Sequence, residues 1–114
     1  MAKVLGIGGF FFRSNDPDKL AAWYAEHLGV DPCPRDYDTP PWHQAAGPTV
    51  VNPYPADDGP RWWINFRVRD LDAMVRQLRA AGIEVTPDAE VYPNGRFARL
   101  KDPEGNPVEL WEPA

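Results

Sequence analysis

Asp16-Pro-Asp-Lys-Leu-Ala-Ala-Trp-Tyr-Ala-Glu-His-Leu-Gly29 and Asp70-Leu-Asp-Ala-Met-Val-Arg-Gln-Leu-Arg-Ala-Ala-Gly82 follow one pattern twice. Asp16 is an N-cap whose side-chain oxygen accepts from amides that the first helical turn leaves unpaired. Pro17 follows at the first helical position, where a missing N–H is harmless and φ is preset. Leu20, Trp23, Tyr24, His27 and Leu28 then fall at i, i+3, i+4, i+7 and i+8, one face of a helix. Gly29 supplies the left-handed stop. In the second stretch Asp70 caps, Leu71, Met74, Val75 and Leu78 repeat the spacing, and Gly82 stops it. Asp16 to Asp70 is 54 residues and Gly29 to Gly82 is 53, about half of a 114-residue chain.

Each helix follows an apolar stretch, Ile7–Arg13 before the first and Trp62–Val68 before the second. After the second helix, Ile83–Thr86, Arg96–Lys101 and Val108–Trp111 read as strands, the last two joined by the turn Asp102-Pro-Glu-Gly-Asn106. After the first helix, Trp42–Ala46 and Thr49–Asn52 flank Gly47-Pro48, a hairpin that Pro53 and Pro55 crowd. The expected organisation is β-α-β-β-β twice within a single domain over 1–114. Module 1 covers about 1–58 and module 2 about 59–114. Two copies are too few for a solenoid, so the period means a duplicated α+β domain.

Composition narrows the functions. Hydrophobic residues make up 43% and charged residues 25%, a globular balance. No apolar run approaches the roughly 18 residues of a spanning helix. No cleavage pattern follows Leu5–Phe12, so a cytoplasmic protein without a signal peptide is expected. Twelve Lys and Arg scattered among seventeen acids give a net charge of −5, which argues against nucleic acid as a partner. A small anion needs only one or two placed arginines. Cys33 is the lone cysteine, excluding an internal disulfide. Neither a phosphate-binding glycine loop nor a nucleophile elbow is present; Gly6-Ile-Gly-Gly9 reads as a pliable first strand.

The duplicated pattern resembles the vicinal-oxygen-chelate superfamily, which includes glyoxalase I, bleomycin-resistance proteins and extradiol dioxygenases. The resembling residues are Asp16–Gly29, Val68-Arg-Asp-Leu-Asp72 with Ala80-Ala-Gly-Ile83, and Lys101-Asp-Pro-Glu-Gly-Asn-Pro-Val-Glu-Leu-Trp-Glu112. The resemblance implies paired modules forming a curved, mostly antiparallel sheet around a pocket, commonly in a homodimer. Its members include isomerases, dioxygenases and binders that only sequester a drug, so superfamily alone does not name the chemistry.

Metal-dependent relatives draw four ligands from the first and last strands of each module. That pattern falls here on Gly9, about Val51, Trp63 and Glu109, of which only Glu109 has lone pairs suited to a metal. Their neighbours Gly8, Phe10, Val50, Trp62 and Ile64 do not restore the set. No metal or other cofactor is therefore expected. His27 lies on the helix stripe and reads as packed core, and His43 lies near a strand that would line the pocket.

Without a metal, the pocket walls carry the expectation. Alternation puts Gly9, Phe11 and Arg13 on one face and Trp63, Asn65 and Arg67 on another. Arg13 and Arg67 are related by the duplication; either they grip a carboxylate or phosphate between Phe11 and Trp63, or they are exposed strand-end residues paired to nearby acids. Trp42 and Trp111 are candidates for pocket wall, dimer contact or core, and Asp31–Pro41 for a lid or a rigid connector. If the turn places Lys101 opposite Pro107, Arg99 faces Glu109 in a cross-strand pair. Alternatively Glu109 is catalytic, a general base on an acidic C–H, with Arg13 or Arg67 stabilising the enolate. Three functions follow. One is a metal-free pocket that binds a small aromatic or anionic ligand. Another is an enzyme of lactoylglutathione-lyase or dioxygenase type with a non-standard metal site. The third is a structural or regulatory dimer with a vestigial cavity.

Overall fold

Both capped helices form where the spacing puts them. The computed structural model describes all 114 residues, Met1–Ala114. Helix α1 spans Pro17–Leu28 and helix α2 spans Leu71–Ala80. Asp16 accepts from the Lys19 amide and Asp70 from the Ala73 amide, the two expected caps. Gly29 closes α1 at φ 71°, the left-handed conformation that a side chain resists. The first buries Leu20 and Tyr24, the second Leu71, Val75 and Leu78.

Four strands make one mixed sheet: β1 (Ile64–Arg67), β2 (Thr86–Pro87), β3 (Gly95–Lys101) and β4 (Pro107–Pro113). Their spatial order is β1-β4-β3-β2, with β1 parallel to β4 and the other two pairings antiparallel. Ile64 and Phe66 lie level with Val108 and Leu110, and these with Leu100 and Ala98. That face meets both helices. Leu78, Ala98 and Leu110 are fully buried there, and Val85 joins the same core. The opposite face carries Asn65 and Arg67, Glu109 and Trp111, Phe97, Arg99 and Lys101.

The turn between β3 and β4 ties the sheet to α1. Buried Asp102 accepts from the Glu104 and Asn106 amides at 2.9 Å each and from the Asn106 side chain at 2.7 Å. It also accepts from the Tyr24 hydroxyl at 2.8 Å. Burial, reinforced by that bond to Asp102, pushes the Tyr24 phenol well above its ordinary value. Glu104 in the same turn accepts from the Ser14 hydroxyl and, at 2.8 Å, from the Asn15 amide, just ahead of the helix. Across the sheet, Glu112 accepts from the Leu71 amide at 2.9 Å and holds the start of α2.

The strand expected over Ile83–Thr86 forms only at Thr86–Pro87. Upstream, the backbone is already engaged: the Ile83 amide donates to Leu78 O at 3.0 Å, closing the helix. The Val85 carbonyl accepts from Arg79 at 3.0 Å. In the first half, Ile7–Arg13, Trp42–Ala46 and Thr49–Asn52 form no strand ladder. A strand is stable only beside a partner edge, and Pro41, Pro48, Pro53 and Pro55 offer no amide to one. Leu5, Phe11 and Val51 are 106%, 91% and 80% exposed in consequence. The radius of gyration is 15.3 Å, against about 13 Å expected for a compact chain of this length. No helix is long and apolar enough to cross a membrane.

Candidate functional site

The sheet registers assemble a row of polar side chains on the face away from the helices. Parallel pairing of β1 with β4 puts Asn65 beside Glu109, and antiparallel pairing of β3 with β4 puts Arg99 on its other side. Asn65 Nδ2 donates to Glu109 Oε1 at 2.8 Å, and Arg99 Nη2 lies 3.0 Å from Oε2. The Glu109 side chain is nearly enclosed, at 12% exposure, whereas that of Arg99 is 65% exposed. The guanidinium is thus anchored at one nitrogen and open to solvent at the rest.

Aromatic rings flank this row at both ends. Phe97 stacks on Trp111 with 6.2 Å between ring centres and 4° between planes, and Trp111 Nε1 donates to Asn94 O at 2.9 Å. At the other end Trp63 stacks on Tyr54 at 5.0 Å and 21°. Beside Trp63 opens a cleft of about 630 Å³, lined among others by Pro60, Glu84, Thr86, Arg99 and Lys101. Small-molecule sites commonly run from about 300 to 1,000 Å³. Arg99 and Lys101 are the cations of this lining and Glu84 the acid.

Trp63, Asn65, Arg67 and Glu109 therefore share one face. Arg67 does not stand free on it: Nη2 donates to Ala45 O at 2.8 Å, and a side chain added at Gly47 would collide with the guanidinium. Arg13 is exposed and makes no hydrogen bond or ion pair, so nothing couples it to Arg67. Phe11 is also exposed, Trp42 is 37% exposed, and the His43 ring lies against its own backbone, Nδ1 at 2.9 Å from Pro41 O. Asp31–Pro41 has no regular structure and is linked to α1 by the Arg35–Asp18 ion pair. Trp62 faces away from Trp63 and packs on Phe10 and Phe12, at 5.1 and 5.9 Å.

Tyr54, Glu84, Thr86, Phe97 and Lys101 belong to this face without having been singled out in the sequence as site residues. For Phe97 and Lys101 the signal was present, because the register that opposes Arg99 to Glu109 puts them on the same side. For Tyr54, between two prolines outside any strand, there was none.

The donor set around Glu109 does not suit a divalent cation. Both carboxylate oxygens are engaged by Asn65 and Arg99, and a metal would contend with the guanidinium for the same oxygen. No three side chains of His, Cys, Asp and Glu converge anywhere in the chain. Gly9 and Val51, two of the ligand places implied by the resemblance, are exposed and outside the sheet.

The capped-helix pair covers one face of the sheet and leaves the aromatic-flanked face open, a small α+β domain, and the match to a family model places it in the vicinal-oxygen-chelate superfamily. Residues 9–111 match the glyoxalase-like domain family, and the chain belongs to it. TnmS3, an antibiotic binding protein from Streptomyces sp. CB03234, shares the fold at 24% identity over 100% of both chains, with a TM-score of 0.66. Lactoylglutathione lyase from Agrobacterium tumefaciens aligns at 21% identity over 87% of this chain and 86% of its own, with a TM-score of 0.52. A glyoxalase/bleomycin resistance protein from the same Streptomyces strain is 33% identical. That likeness spans only 43% of this chain and 42% of the other, with a TM-score of 0.39. No curated protein matches.

Proposed function

We propose that this protein binds a small aromatic or anionic molecule on the open face of its sheet, without a metal ion. The observation that carries this reading is the cleft beside the Trp63–Tyr54 stack, where a flat apolar wall adjoins Arg99 and Lys101. Such a wall with a few placed polar groups is what small-molecule sites are built from. A protein named for antibiotic binding shares the fold over its whole length, so sequestration is an activity this architecture supports. The lyase reading would require Glu109 to act as a base while Asn65 and Arg99 hold both its oxygens, which disfavours it.

The working form is a homodimer. Val4, Leu5, Ile7, Phe11, Val50 and Val51 are all more than half exposed, an apolar surface of the kind that partners cover. A second copy would cover it. The exposed free thiol of Cys33 fits a reducing compartment, as in the cytoplasm. Titration of aromatic acids and neutral aromatics against tryptophan fluorescence tests the site. Trp63→Leu should weaken binding about fivefold, since an aromatic contact accounts for roughly 1 kcal/mol beyond burial. Unchanged affinity in that variant would overturn the assignment.

A further inference from the structure

We propose that Arg99 and Lys101, and not the duplication-related Arg13 and Arg67, recognise the ligand's charge, and that the ligand is a flat aromatic monoanion. The proposal rests on the reading of the cleft as a small-molecule site. Arg67 has its guanidinium committed to Ala45 O and pressed against Gly47, and Arg13 stands alone in the first half. Arg99 and Lys101 alternate along β3 onto the same side of the sheet and both line the cleft. At about 3.4 Å per residue their backbones are separated by about 7 Å, a span that two long side chains bridge onto one carboxylate.

The two cations are in different states. Arg99 is oriented by its bond to the enclosed Glu109, so its outward N–H groups are presented without the full entropic cost of ordering a free side chain. The Lys101 side chain is exposed and has no ion-pair partner, and it supplies the uncompensated positive charge. Thr86 lies opposite Arg99 across the β2–β3 pairing and adds a hydroxyl donor at the same level. Trp63, stacked and backed by Tyr54, offers its ring as the plate for the aromatic part. Glu84, the acid of the lining, sets the limit on charge: it tolerates a single negative charge held by Arg99 and Lys101 and repels a second.

The test uses 1-naphthoate and 1-naphthamide, one ring system with and without the charge, titrated calorimetrically into the full chain. The naphthoate should bind about tenfold more tightly, and raising salt from about 0.05 M to about 0.5 M should shrink that preference. Lys101→Met, at an exposed position that does not endanger folding, should bring the two affinities within about threefold by weakening the naphthoate alone. Glu84→Gln should tighten the naphthoate about threefold and leave the naphthamide unchanged. Equal affinities in the unaltered chain, lost together in Trp63→Leu, would overturn the charge assignment and leave the binding reading standing. A preference that survives Lys101→Met would also overturn it. No binding of either compound would overturn the proposal together with the reading beneath it.

Discussion

Residues 1–58 and 59–114 each carry an Asp-capped helix, yet the whole sheet comes from the second half. The contrast is between structure that closes on itself and structure that needs an edge. A helix satisfies its amides within a few residues, so Asp16–Gly29 and Asp70–Gly82 both fold as read. A strand must find its hydrogen-bond partners elsewhere. The second half provides them internally through Arg96–Glu112 and its tight Asp102–Asn106 turn. The first half has prolines where such a hairpin would need amides, and outside α1 the apolar residues of its expected strands, such as Ile7, Phe11, Val50 and Val51, are exposed.

Core substitutions sharpen that contrast most strongly. Leu110→Ala removes a fully buried side chain from the face between sheet and helices, and should cost about 2–5 kcal/mol in urea unfolding. Phe11→Ser, at 91% exposure, should change monomer stability by less than about 0.5 kcal/mol. Comparable losses would mean that the first half is packed after all.

Tyr24→Phe probes the joint between the halves, because Tyr24 is the residue of α1 that reaches buried Asp102. Deleting the hydroxyl leaves Asp102 one donor short and should cost about 1–3 kcal/mol. Hydrogen exchange should quicken in α1 while β3 and β4 stay protected. Uniform loss of protection would make the chain one cooperative unit instead.

The smallest effect is pH-dependent. The Ser14 hydroxyl, then the Asn15 amide, holds the Glu104 carboxyl below its ordinary value of 4.5. A depressed carboxyl stabilises the fold above the unfolded value, and that contribution fades as pH falls through the lower folded value. Glu104→Gln should therefore be less stable than the unaltered chain near neutral pH, with the gap closing below about pH 4. A gap constant from pH 7 to about pH 3 would show that charge plays no part in that tie.

How much of the site was legible follows the same division. Register arithmetic from the Asp102–Asn106 turn correctly opposes Arg99 to Glu109 and Lys101 to Pro107. Alternation places Trp63, Asn65 and Arg67 together, and they share the face of Glu109. Both inferences are local, within one strand or across one tight turn. The symmetry that relates Arg13 to Arg67 is a relation between sequences, and in space Arg67 meets Ala45 and Gly47 instead. Tyr54 reaches Trp63 from a proline-flanked segment with no periodicity, so no pattern announces it.

Groups only a few residues apart dictate the two helices, their caps and stops, and the closing hairpin with its register, which is why each is legible in the chain alone. The parallel seating of β1 against β4, which completes the Asn65–Glu109–Arg99 row, was decided only in the tertiary structure. So was the commitment of Arg67 to a distant loop. These contacts join residues 22 to 44 positions apart, and the chain segments between them carry no signal of which edge or carbonyl they will meet.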